Sequence, residues 1–376
     1  MHPRLVKDAI HDSIELSEEE LAVIDSPLFQ RLRFVRQLST AYLVYPSATH
    51  TRFEHSLGAM HLTGVLAQRL GFHESKVRAL RLAALLHDIG HGAFAHVSDP
   101  LLEEKTGKMH ETRGLDLVRR SGLKQIVEDA GVSLNELSKL MEGQHEGAII
   151  TRDLGTDRID YLLRDAHFTG VAYSTIDADR LLHTMAYRKG ELFVEERGLL
   201  AAESLLVSRH FMFKAVYYHP TVRISGEMVA RAMADGLREG QITVNDIALG
   251  TDERLLYQLE EAGSEMARRL RERRLYKAAF ALEKSKPLGR DAKRRFAGHM
   301  EDKGFFDEDY LLVLPEDRKA RFSAKVLLKD GRATTLEKAS GLLRALEAEG
   351  PQSPLIVASK PGLREKVARA AKASFT

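Results

Sequence analysis

The chain has 376 residues, 44% of them hydrophobic, so it can bury a sizeable core and is too apolar for a disordered protein. Its 56 basic and 54 acidic residues nearly cancel, which argues against a dedicated nucleic-acid binder or an acidic scaffold. Cysteine is absent, so disulfides, thiolate metal sites and cysteine nucleophiles are excluded, and any metal must be held by histidine and carboxylate groups.

The N-terminus lacks the apolar region of a secretion signal. No stretch approaches the roughly 20 apolar residues that span a bilayer. We therefore expect a cytoplasmic protein that does not contact a membrane.

The first three quarters of the chain are predicted to be helical. Residues 17–38 predict two short helices, because Ser17 and Glu20 form a capping box and Pro27 suits a first helical turn. Apolar residues recur at helical spacing in four further segments, which are residues 53–71, 74–90, 145–167 and 199–239. Residues 185–196 predict a small hairpin that turns at Lys189-Gly190.

The last part of the chain differs in character. Residues 309–315, 322–331 and 354–360 are predicted strands, and residues 336–349 and 361–372 are predicted helices. The fold class is therefore mainly α with a small C-terminal α+β unit. We place the larger helical domain at residues 1–299 and the α+β unit at residues 300–376.

Eight of the 16 histidines fall between residues 50 and 110, and the centre of this group is LLHDIGHGAFAH at 85–96. Adjacent helical residues point about 100° apart, so His87 and Asp88 can hold one ion only near a helix end or where other helices converge. His91 shares the helical face of His87, and the glycines are expected to turn the chain so that His96 returns to the same cavity. A His-Asp pair is frequent by chance, so alone it is a weak signal.

Two further segments strengthen the prediction of a metal site at His87 and Asp88. HTRFEHSLGAMH at 50–61 supplies His55, and TDRIDYLLRDAHFTG at 156–170 places polar side chains on one helical face. That face carries Asp157, Asp160, Tyr161, Arg164 and Asp165. A solvated face is the alternative, but Leu162 and Leu163 leave only a narrow apolar face for packing.

The sequence therefore predicts a divalent metal site with open positions for water and a phosphate oxygen. The predicted ligands are His55, His87, Asp88 and Asp157. Mn, Fe, Mg, Co, Ni and Zn all remain possible as the metal.

The order H…HD…D resembles the HD superfamily of phosphohydrolases, and specifically the branch of dNTP triphosphohydrolases with sterile-alpha-motif/HD-domain members and bacterial relatives. The similar motifs follow one another from about Lys7 to Gly170: IHDSIEL, DSPLFQRLRFVRQL, YPSATHTRFEHSLG, LLHDIGHGAFAH, HE at 110–111 and TDRIDYLLRDAHFTG. A weaker similarity continues through SRHFMFKAVYYHP at 208–220 and RRLYK at 273–277. The chain lacks the GYP motif of cyclic-dinucleotide phosphodiesterases and the ED pair of alarmone hydrolases.

The resemblance implies an HD-domain helical fold and hydrolysis of a dNTP at its α-phosphate to deoxynucleoside and tripolyphosphate. It implies that His91, His96 and His110 line the phosphates, with His96 as our first choice for the acid that protonates the 5′-oxygen. Glu111 would orient His110, although His110 alone could equally be a surface histidine.

The resemblance also implies residues that bind the nucleotide. Phosphate contacts are expected from Arg52, Arg158 and Arg209. Contacts to the sugar 3′-hydroxyl are expected from Gln37 and Asp165, and packing against the sugar, which would disfavour a 2′-hydroxyl, from Tyr161 and Tyr217. One departure is Phe213, which stands where a vertebrate member has histidine, so contacts to that part of the nucleotide are less certain to transfer.

Members of this branch are often oligomers activated by a guanine nucleotide, so the resemblance implies a homo-oligomer, dimer or tetramer, and an activator site. The matching positions are Arg4, Asp25, Gln30 and Arg33. Alternatively, Asp25 caps a helix that begins at Pro27 and Arg33 is an ordinary surface residue.

The basic run from Arg268 to Arg295 is interpreted as a solvated helix face. It could also bind activator phosphates or single-stranded nucleic acid, but aromatic residues are sparse there. Two alternative functions stay open at this stage. One is a phosphohydrolase for nucleoside monophosphates or nucleic-acid ends, and the other is a non-catalytic nucleotide-sensing protein.

Overall fold

The computed structural model describes residues 4–173, 176–282, 291–315, 322, 324–349 and 353–375. These residues form a mainly helical fold with small sheets, which confirms the predicted fold class. Within the described part of the chain, no helix combines the length and the apolar character needed to cross a membrane.

The N-terminal part is an antiparallel hairpin followed by two short helices. The hairpin comprises β1 (Arg4–Asp8) and β2 (Asp12–Leu16), and the helices are α1 (Glu18–Ile24) and α2 (Pro27–Gln30). The predicted capping box of α1 is confirmed. Ser26, not Asp25, caps α2, because its hydroxyl accepts the N–H of Phe29, whereas Asp25 ends α1.

Two packed helices, α3 (Arg52–Arg69) and α4 (Glu74–Leu86), form the centre of the fold. Their fully buried side chains include Leu66, Leu82 and Leu86. Around them lie α5 (Asp99–Thr106), α6 (His110–Arg119), α7 (Leu123–Asp129), α8 (Leu134–Met141), α9 (Ala148–Thr151) and α10 (Thr156–Thr169). The segment 145–167 is helical as predicted but divided, because α9 and α10 are separated by a turn in which Gly155 approaches the carbonyl of Ile150 too closely for a Cβ atom.

The next region extends the helical body. It contains α11 (Ala178–His183), the predicted hairpin as β3 (Met185–Arg188) and β4 (Glu191–Glu195), α12 (Leu199–Met212), α13 (Pro220–Arg238), α14 (Val244–Ala248), α15 (Asp252–Glu261) and α16 (Glu265–Arg271). The hairpin turns at Lys189 and Gly190, whose φ angles are 51° and 82°. The segment 199–239 is two helices, since a π-helical turn (Phe213–Tyr217) and Pro220 separate α12 from α13.

The C-terminal part contains the remaining strands and helices. These are β5 (Lys277–Leu282), α17 (Ala292–Asp302), β6 (Tyr310–Val313), β7 (Lys325–Leu327), β8 (Ala333–Thr335), α18 (Leu336–Ala339), α19 (Gly341–Glu349), β9 (Leu355–Ser359) and α20 (Arg364–Phe375). One sheet has the order β5-β9-β6, and the other has the order β3-β4-β7-β8 with β4 and β7 parallel. Strands from both sides of residue 300 thus share each sheet, and the division of the chain at that residue stays a prediction.

The basic run from Arg268 to Arg295 is a helix over only part of its length. It includes the end of α16, the strand β5 and the start of α17, and residues 283–290 lie outside the described residues. Arg271 and Arg274 form ion pairs with Glu260 and Glu272. These pairs give the exposed arginines acidic partners within the chain.

Candidate metal centre and histidine cluster

The four predicted metal ligands converge in the structure. His55 comes from α3, His87 and Asp88 follow the end of α4, and Asp157 lies in the first turn of α10. His55 Nε2 lies 3.0 Å from Asp157 Oδ1, and His87 Nε2 lies 3.3 Å from Asp88 Oδ1 and 3.6 Å from Asp157 Oδ1. The HD pair therefore sits at a helix end facing another helix, the arrangement that adjacent ligands require.

The second nitrogen of each histidine is fixed by a hydrogen bond. His55 Nδ1–H donates to Asp160 Oδ2 at 2.7 Å, and His87 Nδ1–H donates to the carbonyl of Ala84 at 2.7 Å. His87 Nε2 is buried and has no hydrogen-bond partner among the described residues. The side chains of His55, His87 and Asp88 could hold a metal ion between them, and Asp157 lies beside both Nε2 atoms. Two imidazoles and two carboxylates are a donor set that suits a divalent cation.

The electrostatics also favour a cation. Burial disfavours a charge on His55, but hydrogen bonds to Asp157 and Asp160 and the charge of Asp88 outweigh burial and raise its pKa to about 10. Burial opposes ionisation of Asp88 too, yet Arg52 and the neighbouring histidines hold its pKa well below the usual range. The negative field that attracts a proton to His55 would equally attract a divalent ion.

A second cluster lies beside the first, with Asp99 at its centre. Asp99 Oδ2 is 3.1 Å from His91 Nδ1, 3.3 Å from His96 Nδ1 and 3.7 Å from His110 Nδ1. The rings of His91 and His110 stack at 4.0 Å between centroids. The three predicted catalytic histidines are thus brought together, around an aspartate that the sequence analysis missed although it follows His96 by three residues.

Asp88 connects the two clusters. Its Oδ1 atom lies 3.3 Å from His87 Nε2 and 3.3 Å from His91 Nε2. Glu111 lies 3.4 Å from His110 Nε2, on the side expected for a residue that orients this histidine.

The loop from Gly90 to His96 turns in an unexpected way. The positive φ angles fall on Phe94 (59°) and Ala95 (43°), so the expectation that glycines make the turn is wrong. Gly90 is needed for packing, because a Cβ atom there would lie 2.0 Å from the carbonyl of His110 at the start of α6. Arg31, also missed, donates from Nη2 to the carbonyl of His91 at 2.7 Å and so holds the start of the loop.

The three arginines predicted to bind phosphates lie in different surroundings. Arg52 pairs with Asp88 Oδ2 at 2.6 Å, while its Nε and Nη2 atoms are buried without a hydrogen-bond partner among the described residues. Arg158 bonds to Asp153 at 2.7 Å. Arg209 lies over the ring of Phe213, 4.8 Å from its centroid, so the phenylalanine that replaces histidine supports an arginine.

The residues predicted to contact the sugar form a connected group. Asp165 accepts hydrogen bonds from His50 Nε2–H at 2.8 Å and from the hydroxyl of Tyr217 at 2.7 Å. Tyr161 lies near His55, with 6.4 Å between the ring centroids, and Gln37 is buried. His50 was missed, although it precedes the Arg52 position by only two residues.

Three of the four predicted activator positions lie close together in the sequence. Asp25 and Arg33 are exposed, and Gln30 is partly buried. Gln30 donates to the carbonyl of Ile24 and accepts from Arg33 Nε at 2.8 Å, and Arg33 lies over the ring of Phe53. Asp25 and Arg4 are exposed, with Arg4 at the start of β1.

Comparisons with known proteins agree with this geometry. The sequence profile of the HD domain matches residues 52–180, and that of the HD associated region matches residues 176–376. An uncharacterized protein of Methanocaldococcus jannaschii is 40% identical over 279 residues, 73% of this chain and 59% of that protein. The Dictyostelium discoideum deoxynucleoside triphosphate triphosphohydrolase SAMHD1 homolog is 28% identical over 258 residues, 62% of this chain and 49% of that protein.

A crystal structure of a hypothetical protein from Aquifex aeolicus has the same fold over almost the whole length. The TM-score is 0.82 at 29% identity, covering 98% of this chain and 100% of that one. The two curated relatives are longer, since this chain spans only 59% and 49% of their lengths. From these matches, the chain belongs to the HD-domain family, in the group that carries an HD associated region.

Proposed function

We propose that the protein hydrolyses deoxynucleoside triphosphates to deoxynucleoside and tripolyphosphate. The observation that supports this most is the pairing of a two-histidine, two-aspartate centre with a cluster of three histidines around Asp99, joined through Asp88. The distant relative named as a deoxynucleoside triphosphate triphosphohydrolase supports the choice of substrate.

His55, His87, Asp88 and Asp157 would hold the metal. When bound, the ion supplies Lewis-acid polarisation of a phosphoryl oxygen and lowers the pKa of a water. Arg52 holds Asp88 in place and directs its remaining N–H donors to phosphate oxygens.

The leaving group needs a proton. In the hydrolysis, the oxygen of water bonds to the α-phosphorus, and the bond between the α-phosphorus and the 5′-oxygen breaks. The 5′-oxygen must be protonated to depart as a hydroxyl. His96 is our choice for this step because its side chain is 58% exposed and its Nδ1 lies 3.3 Å from Asp99. Asp99 favours the protonated ring, whereas burial and the charge of Arg52 oppose it and lower the pKa of His96 to about 4. His91 and His110 complete the wall of this cluster and meet the phosphate chain.

Asp165, Tyr217 and Gln37 would bind the sugar. Asp165 is held by His50 and Tyr217, so its orientation is set before a nucleotide binds. Each oxygen retains room for a further donor, and the 3′-hydroxyl would be that donor. Tyr161 and Tyr217 would leave too little room for a 2′-hydroxyl.

We also propose a guanine-nucleotide activator site at Arg4, Asp25, Gln30 and Arg33, and a homo-oligomer that assembles around it. The exposure of Asp25 and Arg33 supports this, because both side chains are accessible to a ligand or a second subunit. Turnover and sedimentation with and without GTP or dGTP test it, and an Arg33→Ala protein should lose any activation while keeping its basal rate.

Product analysis tests the main proposal. Purified protein loaded with Mn²⁺, Mg²⁺, Fe²⁺ or Co²⁺ is incubated with dNTPs, NTPs, dNMPs and single-stranded DNA, and the products are resolved. Tripolyphosphate from dNTPs is the expected result, whereas orthophosphate or mononucleotides would identify a different phosphohydrolase. An Asp157→Ala protein should lose both bound metal and turnover, and full retention of both would contradict the ligand assignment.

A further inference from the structure

The N-terminal hairpin reaches the metal centre through one histidine. His11 lies in the turn between β1 and β2, and its side chain is only 7% exposed. Its Nε2–H donates to Asp160 Oδ1 at 2.6 Å, while the other oxygen of Asp160 accepts from His55 Nδ1 at 2.7 Å. A single buried carboxylate therefore lies between the hairpin tip and a candidate metal ligand.

Further bonds fix the tip of the hairpin. Arg164 donates to both oxygens of Asp160, to Oδ1 at 2.9 Å and to Oδ2 at 3.0 Å, and to Asp8 Oδ2 at 2.8 Å, and all three side chains are buried. Asp8 Oδ1 accepts the backbone N–H groups of Ile10 and His11, each at 2.9 Å. The turn that presents His11 is thus tied to the same arginine that neutralises Asp160.

The space around Asp160 is closed. A Cβ atom on Gly58, one turn after His55 in α3, would lie 1.9 Å from Asp160 Oδ1. The carboxylate can approach α3 only because this residue is glycine, and it then meets His55 from the side away from the other ligands. The fold therefore gives Asp160 a fixed position and leaves its rotation to be set by its donors.

A metal-binding histidine depends on the acceptor of its other nitrogen, which sets the orientation of the ring and its basicity. We propose that His11, acting through Asp160, is a positioning residue of the metal centre. Together with the contacts of Arg164 to both oxygens, the His11 bond to Oδ1 holds the carboxylate in the rotation at which Oδ2 accepts from His55, and this keeps His55 Nε2 directed at the ion. The inference rests on the proposed metal centre and assigns the N-terminal hairpin a part in orienting one of its ligands.

Cobalt binding tests the inference without an activity assay. Metal-free wild type, His11→Asn, His11→Gln and the control His183→Asn are titrated with Co²⁺, and the affinity and visible absorption spectrum are recorded. His183 is exposed and, among the described residues, bonds within its own helix, to Asp179, so its substitution should change neither quantity. We expect His11→Asn to bind Co²⁺ about 10-fold more weakly, with a shifted band. His11→Gln, which can still donate to Asp160, should recover part of the affinity.

Urea unfolding of the metal-free and Co²⁺-loaded proteins separates positioning from anchoring. The stabilisation by Co²⁺ reports the affinity even for a variant that is partly unfolded without metal. A His11→Asn protein that loses metal-free stability but keeps wild-type Co²⁺ affinity and spectrum would overturn the inference, leaving the hairpin only an anchor. Failure of wild type to bind Co²⁺ would overturn the metal centre and the inference together. Binding without dNTP hydrolysis would overturn only the proposed substrate.

Discussion

Asp252 accepts a hydrogen bond from the backbone N–H of Phe94 at 2.7 Å, although the two residues are 158 positions apart. Its other oxygen accepts the N–H of Arg36 at 3.0 Å. Burial raises the pKa of Asp252 to about 6, so the fold keeps an ionisable group here at an electrostatic cost. This carboxylate of the HD associated region braces the loop that carries His91 and His96.

Replacement of Asp252 by alanine should weaken both the fold and the loop. It leaves the N–H groups of Phe94 and Arg36 unpaired in the interior, so we expect the free energy of unfolding to fall by about 2–4 kcal/mol. Urea unfolding of the metal-free protein at neutral pH measures this. The control is Asp246→Ala, which removes the partly exposed carboxylate that accepts from the N-cap Thr243 of α14 and should cost about 1 kcal/mol. Equal losses in the two variants would show that Asp252 is no more than a cap.

Two glycine substitutions should act with opposite sign. Gly90→Ala forces a Cβ atom against the backbone of His110 and Gly114, so it should destabilise the protein by more than about 2 kcal/mol and lower turnover. Gly298→Ala, in the exposed middle of α17 with open space around it, should stabilise by roughly 1 kcal/mol. Thermal unfolding of both variants measures these changes in stability. A Gly90→Ala protein as stable as wild type would mean that the loop shifts easily to make room for the Cβ atom.

Asp99 and His96 should affect turnover without affecting metal content. If His96 protonates the leaving group, His96→Gln should reduce kcat by about 10²–10⁴-fold, the usual contribution of general acid catalysis. Asp99→Asn should also reduce kcat, while the bound metal, measured by atomic absorption, stays at the wild-type level. His167→Gln, at an exposed position on α10, is the control. Loss of metal in the Asp99 variant would place this residue in the metal centre itself.

The pH dependence of stability should include a contribution from His61. Burial, with the charges of His11 and Arg81, lowers the pKa of His61 to about 4, against the opposing effect of Asp8 and Asp160. The unfolded chain takes up a proton below about pH 6.5 and the native state only near pH 4, so this stability is complete above pH 6.5 and is lost as the pH falls to 4.

Comparison with His61→Asn isolates that contribution. The difference in free energy of unfolding between wild type and variant should shrink by up to about 3 kcal/mol between pH 7 and pH 4, the equivalent of the pKa shift. Urea titrations of the metal-free proteins across this range provide the measurement. A difference that is constant with pH would show that His61 titrates normally in the fold.

The convergence of the predicted ligands could be anticipated from the sequence because metal binding restricts residue type and helical spacing. His55, His87, Asp88 and Asp157 stay predicted ligands, chosen from the periodicity of three helices and the absence of cysteine, and the fold brings their side chains together. Similar local rules predicted the capping box at Ser17 and the hairpin turn at Lys189.

What the sequence did not reveal depends on distant contacts. Asp99 and Asp252 look like ordinary acidic residues in the sequence, and Asp160 stands out only as part of a polar helical face. Each of the three acquires its role from partners that the tertiary fold supplies. The turn at Phe94 and Ala95 was missed for the same reason, since both residues adopt left-handed backbone against their own preference and Asp252 holds the N–H of Phe94.

The parallel pairing of β4 with β7 has a consequence for how the chain folds during synthesis. Phe193 pairs with Lys325, a partner made about 130 residues later. At a ribosomal rate of about 5–20 residues per second, β7 is synthesised on the order of ten seconds after β4, and the edge of β4 stays unpaired until then. During that interval the hairpin offers unpaired backbone groups to other nascent chains. We therefore expect the yield of native protein to depend on chaperones or low temperature, with the HD helices forming early and this sheet closing last.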